Sequence, residues 1–305
     1  MPRVSIIMAA FNVEKYIASA IESCLSQTFA DFELLIHDDG SSDGTLEVAR
    51  GYESRDHRIR VTSSPNRGPS AARNLLCEAA SGEYLAVLDA DDECVPDRLS
   101  MQSKFLDMNT DHVLVGGQVE FMDEDGSVIG PVHLPTDHEE IEANHVLSQC
   151  KIYHSTVMMR RDAMRRSGGY NIEYWNAEDY ELWLRMAEIG KLANLQETAA
   201  RYRLRESGLS GSDYKGQISH AWRACAIARE RRGLIPLDYS LAPEASYLPV
   251  SSWQRSVQLG WIAWSGGQRR SWRRFTVRAL RAAPMRGDSW RLAFFGFFKR
   301  PKIKP

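Results

Sequence analysis

Over the first 120 residues, short apolar runs alternate with stretches whose apolar positions recur every three or four residues. Few folds accept that alternation. Val4 to Met8 reads as a strand, and Val13, Tyr16, Ile17, Ala20, Ile21, Cys24, Leu25 and Phe29 as one face of a helix. Phe32 to Ile36 is a second strand, running into His37-Asp38-Asp39-Gly40; Thr45 to Tyr52 reads as a helix and Ile59 to Thr62 as a third strand. Pro69 opens the next helix, where its fixed φ suits the first turn. Ala72, Leu75, Leu76 and Ala79 share that helix's face, and Gly82 ends it. Tyr84 to Leu88 is a buried strand leading into Asp89-Ala90-Asp91-Asp92. The spacing predicts an α/β fold, a mostly parallel sheet with helices on both faces. Ligands of such sheets bind beyond the carboxyl ends of the strands, where both acidic clusters fall.

Further along, Val113 to Val119 and the turn Asp123 to Gly126 predict a hairpin, His154 to Met159 a strand, and Glu178 to Ile189 a helix. A chain of 305 residues exceeds one ordinary core, which predicts a large domain with an appendage. We place the main domain at residues 1–235, with a nucleotide-binding half over about 1–120 and an acceptor-binding half over about 121–235. Pro236, Pro243 and Pro249 mark a linker, and residues 250–305 form a basic C-terminal region. No apolar run approaches the roughly 20 residues of a membrane-spanning helix. Arg3 and the apolar run to Phe11 mimic a signal peptide, but Asn12, Glu14 and Lys15 follow at once, so the expectation is a cytoplasmic protein. The five cysteines are too scattered for a zinc site or a redox pair and read as reduced thiols.

Asp89 and Asp91 lie two apart at a strand end, so extended geometry points both side chains one way. Carboxylates so placed repel unless a cation joins them. Mn²⁺ or Mg²⁺ would neutralise the cluster and bridge to a diphosphate; a solvated acidic turn is the alternative. Asp38-Asp39-Gly40-Ser41-Ser42-Asp43-Gly44 taken alone is equally a tight turn.

Taken together, Val4-Ser-Ile-Ile-Met-Ala-Ala-Phe-Asn12, Ser26-Gln-Thr-Phe29, Asp38 to Thr45, Asn66-Arg-Gly68, Ala72-Arg-Asn74, Gly82-Glu-Tyr84 and Leu88 to Asp92 closely resemble the family 2 glycosyltransferases. The resemblance covers about residues 3–205. It implies a GT-A fold, with a nucleotide-diphospho-sugar on a Rossmann-like half, and an inverting, metal-dependent transfer of one sugar to an acceptor hydroxyl. By the same resemblance Asp39 contacts the nucleotide base, typically uracil. Ala10, Asn12 and Glu14 belong to the loop around the nucleoside, and Arg73 lies near the nucleotide. Asp91 is the first metal ligand, with Asp92 beside it and Asp89 on the ribose or sugar.

An acceptor hydroxyl is a poor nucleophile at neutral pH, so a carboxylate must take its proton as attack proceeds. Trp175-Asn-Ala-Glu178-Asp179-Tyr-Glu-Leu-Trp183 resembles the Glu-Asp motif that supplies this base, which implies Asp179. Its place in the first turn of a helix favours the ionised form. The plainer reading is two acids at a helix start. Trp175 and Tyr174 are either an acceptor platform or core, and His154 either an acceptor-side residue or a structural histidine. Glu178 falls with them on the acceptor side.

The net charge of −2 conceals a split. From Ser251 to Pro305 there are 13 Lys or Arg and one acid, Asp288, giving +12; the remaining 25 basic and 39 acidic residues give −14. On a wheel from Arg269 to Ala283, Trp272, Phe275, Ala279, Leu280 and Ala283 share one face, and Arg270, Arg273, Arg274, Arg278 and Arg281 the other. That pattern predicts a helix lying on an anionic membrane surface, ahead of a protein partner. Nothing here supports nucleic-acid binding. The sequence therefore predicts a UDP-sugar-dependent transferase, peripheral at the cytoplasmic face of the inner membrane. Its acceptor would be a saccharide or lipid-linked oligosaccharide of bacterial surface polysaccharide. The alternative is a non-catalytic nucleotide-sugar-binding scaffold, which should have lost Asp91 or Asp179; both are present. A nucleotidyltransferase would carry a Gly-rich phosphate loop where this chain has Ala9-Ala-Phe-Asn12.

Overall fold

Strands β1 (Val4–Ala10), β2 (Phe32–Asp38), β3 (Ile59–Ser63) and β4 (Tyr84–Val87) run parallel, in the order β3-β2-β1-β4. The computed structural model describes residues 1–205, 214–237 and 251–298. Between these strands lie α1 (Glu14–Leu25), α2 (Thr45–Glu53) and α3 (Pro69–Ala79). Side chains alternate across a strand, and here both faces are buried. Ile6, Met8, Leu34 and Ile36 pack with Ile17, Ile21 and Cys24 of α1 on one side. Ile7, Leu35, Leu85 and Val87 pack with Leu76 of α3 on the other. Gly68, with φ of 89°, turns the chain into α3 through a conformation that costs most other residues.

The predicted helices on both faces are present, but the sheet as a whole is mixed. β5 (Glu93–Cys94), β6 (His112–Met122), β7 (Val128–Val132), β8 (Met158–Arg160) and β9 (Lys191–Arg203) extend it to nine strands among the described residues. β8 runs antiparallel between β4 and β6, β6 pairs parallel with β9, and β5 and β7 are antiparallel additions. The stretch expected as a strand from His154 instead begins with a 3₁₀ turn, His154–Thr156, before β8. That turn folds His154 and Ser155 back toward Asp89. Helices α4 (Arg98–Met108), α5 (His138–His145), α6 (Arg161–Arg166), α7 (Glu178–Met186) and α8 (Tyr214–Arg231) complete this part. Trp183 of α7 is wholly buried under the sheet with Leu182 and Met186. Tyr174 is core: it packs against Tyr180 and against Ala224 and Cys225 of α8.

The C-terminal helices α9 (Ser252–Ser265), α10 (Arg269–Ala282) and α11 (Gly287–Phe298) form a unit against the β6–β7 hairpin. The apolar face of α10, expected to lie on lipid, is turned inward. Trp272, Phe275 and Ala279 are buried, and Trp272 and Phe275 pack with Ile129, Ala263 and Leu292. Arg274 reaches Asp123 and, at 3.0 Å, Asp125, while the Ser271 hydroxyl donates to the Val128 carbonyl. Gly130 allows α9 to approach, since a β-carbon there would stand 2.8 Å from the Ile262 carbonyl oxygen. The hydrophobic gain of that face is therefore spent inside the molecule. The linker prolines Pro243 and Pro249 and the final run from Lys299 lie outside the described residues, whereas Pro236 is within them.

Candidate active site

The carboxyl ends of β1, β2 and β4 bring the sequence-selected residues to one edge. Ala10 closes β1, and its carbonyl accepts from the Asp39 N–H at 2.8 Å. Asp39 is buried, and its two oxygens accept the backbone N–H groups of Arg67 and Gly68 at 2.8 and 2.9 Å. It thus fixes the loop before α3. Asn12, at φ of 51°, accepts from Ser42 N–H at 2.8 Å, and Glu14 accepts from Gly44 N–H at 3.0 Å. Both side chains clamp the 41–44 turn.

Arg73 of α3 joins the two halves. It donates to Asp89 at 3.0 Å and to Glu178 at 2.6 Å, and its guanidinium lies over the Tyr170 ring. Burial alone would raise the Asp89 pKa, but His154 and Arg73 hold it well below the usual carboxylate range. His154 Nδ1 lies 3.1 Å from Asp89 and Nε2 2.9 Å from the Tyr170 hydroxyl, so His154 braces Asp89 and joins the first half to the second. Tyr170 and Ser155 escaped the sequence reading because their partners are 16 and 66 residues away.

The three acids after β4 divide sharply. Asp92 is buried, accepting from Arg203 N–H at 2.7 Å and from the Ser155 hydroxyl. Burial, Asp91 and Asp89 push its pKa well up. Asp92 is therefore turned away from the open edge and holds β9 against the motif, which removes it from the metal position expected for it. Asp91 faces Arg205 at 2.6 Å, and burial raises its pKa despite that cation. Arg205 was also missed; its only trace in sequence is the Arg203-x-Arg205 pair ending β9. Among the described residues no three His, Cys, Asp or Glu cluster as a ready metal cage. One carboxylate completed by substrate phosphates and water is nevertheless an ordinary Mg²⁺ or Mn²⁺ arrangement, and Asp91 fits it.

Asp179 is the second residue of α7, next to the Glu178 end of the Arg73 bridge, with Oδ1 accepting from Tyr180 N–H at 2.7 Å. The helix start was expected to keep it ionised. Instead burial raises its pKa and Glu178 adds to the rise, against the pull of His154 and Arg73. A base tuned upward is the better proton acceptor at neutral pH. Glu178 is buried, and its Oε2 has no protein partner among the described residues. An unpaired buried acceptor is costly and calls for a hydroxyl or an ordered water. Trp175 is 40% exposed, and its ring edge would lie 3.2 Å from a β-carbon at Gly68. It therefore spans from the loop before α7 to the loop that Asp39 fixes.

The family model for glycosyl transferase family 2 matches residues 5–168. Escherichia coli WfgD, a UDP-Glc:α-D-GlcNAc-diphosphoundecaprenol β-1,3-glucosyltransferase, is 32% identical over 72% of this chain and 83% of its own. WfaP of Escherichia coli, described in the same words, is 32% identical over 79% of this chain and 94% of its own. Among solved structures, Staphylococcus aureus TarS 1–349 with UDP-GlcNAc superposes with a TM-score of 0.59 at 17% identity, covering 95% of this chain and 92% of that one. The Pyrobaculum calidifontis mannosyltransferase PcManGT with GDP-Man and Mn²⁺ gives 0.58 at 18% identity, covering 97% and 79%. The family model, the relatives and the fold agree: the chain is a family 2 glycosyltransferase with the GT-A fold.

Proposed function

We propose that this enzyme moves a sugar from a UDP-sugar to a hydroxyl of a lipid-linked saccharide, with inversion, in the assembly of bacterial surface polysaccharide. The observation that carries the reading is the separation of roles across the Arg73 bridge. Asp91 stands at the end of β4 and Asp179 stands beyond Glu178 at the start of α7. Asp39 and the turn clamped by Asn12 and Glu14 bind the nucleoside, and Asp91 would hold Mn²⁺ or Mg²⁺. The cation, when bound, offsets the negative charge that develops on the leaving diphosphate. Asp179 takes the acceptor proton, and the free oxygen of Glu178 accepts a substrate hydroxyl. His154 and Arg73 keep Asp89 ionised and in place. The acceptor class is supported by the two Escherichia coli relatives, whose names specify a sugar-diphosphoundecaprenol.

Calorimetric titration of UDP with Mn²⁺ and then with EDTA tests the donor side. Affinity should be at least about tenfold higher with metal, or roughly 1.4 kcal/mol. Asp91→Ala should bind UDP equally weakly in both conditions. Metal-independent binding by the unaltered protein, or an unchanged metal effect in the variant, would remove Asp91 as ligand.

We also propose that the C-terminal unit holds the enzyme on the cytoplasmic face of the inner membrane, by a face other than the one the sequence suggested. No described helix is long and apolar enough to cross a membrane. Arg278, Arg281, Arg286 and Arg291 are exposed, close in sequence to the exposed Trp290 and Phe294. Cations near an anionic surface contribute about 1 kcal/mol each. Changing those four arginines to Gln should release the protein from phosphatidylglycerol vesicles while leaving UDP affinity intact. Undiminished flotation of the variant would assign membrane binding elsewhere, and unaltered protein that does not float would exclude it.

A further inference from the structure

Residues 132–144 form one side of an open cleft of about 650 Å³. His133, Glu140 and Asn144 line it from the segment after β7 and from α5, and Cys150, Lys151 and Tyr153 from the opposite side. The two sides are tied together. Asn194 Nδ2 donates to the Pro135 carbonyl at 2.8 Å and to the Lys151 carbonyl at 3.0 Å, and His145 Nε2 accepts the Lys151 N–H at 3.2 Å. Burial lowers the His145 pKa to about 3, with Arg232, His138 and Lys151 adding to the fall, which keeps that imidazole a neutral acceptor.

One wall of the cleft, α5, is tied to α7, which carries the proposed base. The hydroxyl of Tyr180, next in sequence to Asp179, donates to the His145 carbonyl at the end of α5, and on the facing wall burial raises the Cys150 pKa, with the Asp179 carboxylate adding to the rise. One end runs into β7, whose Gly130 and Pro131 lie against α9 of the basic C-terminal unit. Lys151 is half-buried and forms no ion pair among the described residues, although Glu140 lines the same cleft. A partly desolvated cation left without a carboxylate suits an anionic ligand.

We propose that the cleft receives a glycosyl-diphosphate acceptor, resting on the transfer reading above. Lys151 binds the diphosphate, Glu140 and Asn144 take sugar hydroxyls, and Asn194 is a positioning residue that sets the cleft's width. The acceptor's sugar then faces Asp179 and its lipid leaves toward the C-terminal unit.

The test compares two acceptor probes, farnesyl-diphospho-N-acetylglucosamine and uncharged octyl N-acetylglucosaminide, bound by the full-length enzyme with UDP and Mn²⁺ present. The unaltered enzyme should prefer the diphosphate probe by about tenfold or more, as for one charge-assisted contact. Lys151→Ala should lose that preference while keeping its UDP affinity and thermal midpoint, and Lys151→Arg should restore most of it. A preference that survives in Lys151→Ala, or unaltered enzyme that binds UDP but not the diphosphate probe, overturns the cleft assignment. Unaltered enzyme that binds neither UDP nor either probe overturns the transfer reading itself, and the cleft with it.

Discussion

Asp179→Asn should lower sugar transfer by about a hundred- to ten-thousand-fold, the usual contribution of a general base, while UDP affinity stays unchanged. The amide keeps the carboxylate's shape and can still accept the Tyr180 N–H, but it cannot take a proton. Because burial and Glu178 raise the Asp179 pKa, the pH profile carries further information. The base works only when ionised, so transfer should fall as pH drops through a value above the ordinary aspartate figure of about 3.9. The residual rate of the variant should lack that limb. Ordinary turnover by Asp179→Asn would remove this residue as the base, and a limb retained in the variant would assign the titration to another group.

The second large effect is on stability. Arg73 is the shared cation between Asp89 and Glu178, and its removal strands two acids in a largely buried site. Breaking such an arrangement typically costs about 3–5 kcal/mol. Arg73→Ala should therefore shift the denaturant midpoint by a large fraction of the total stability. Arg73→Lys should recover only part of the loss, since a single ammonium lacks the planar fork that meets both carboxylates. The pH dependence has a definite sign. A carboxylate whose pKa is depressed in the folded state contributes stability that is present above about pH 4 and lost as pH falls toward the folded value. Asp89 is such a group, so its contribution to stability should be lost on acidification below about pH 4. Arg73→Ala should show a shallower loss there, with His154 left as the remaining partner. An unchanged midpoint would mean that the bridge contributes nothing net.

The first half of the fold was legible because strand and helix periods alternate there without interruption, and the buried strands appear as short apolar runs. The direction of β8 was not legible. Three residues cannot report which way they pair, and the 3₁₀ turn before them carries no periodic signal. In the site, motif order singled out Asp91 and Asp179, but side-chain engagement was hidden. Nothing in the run Asp89-Ala-Asp91-Asp92 says that its last acid points inward, because that depends on Arg203, 111 residues away. The Arg73–Glu178 bridge spans 105 residues and was equally out of reach. The α10 wheel was read correctly as amphipathic and assigned to the wrong neighbour. Amphipathicity says that a face must be covered, not by what, and the β7 hairpin with α9 and α11 covers it here.

Asp91 and Asp179 on opposite sides of the Arg73 bridge make inversion the central claim. The direct measurement is the anomeric configuration of the product made from an α-linked UDP-sugar and a diphospholipid-linked acceptor, read by proton NMR coupling at the new linkage. A β-linked product is the predicted result. An α-linked product would require a second displacement or a front-face attack, and Asp179 could not then be the base proposed here.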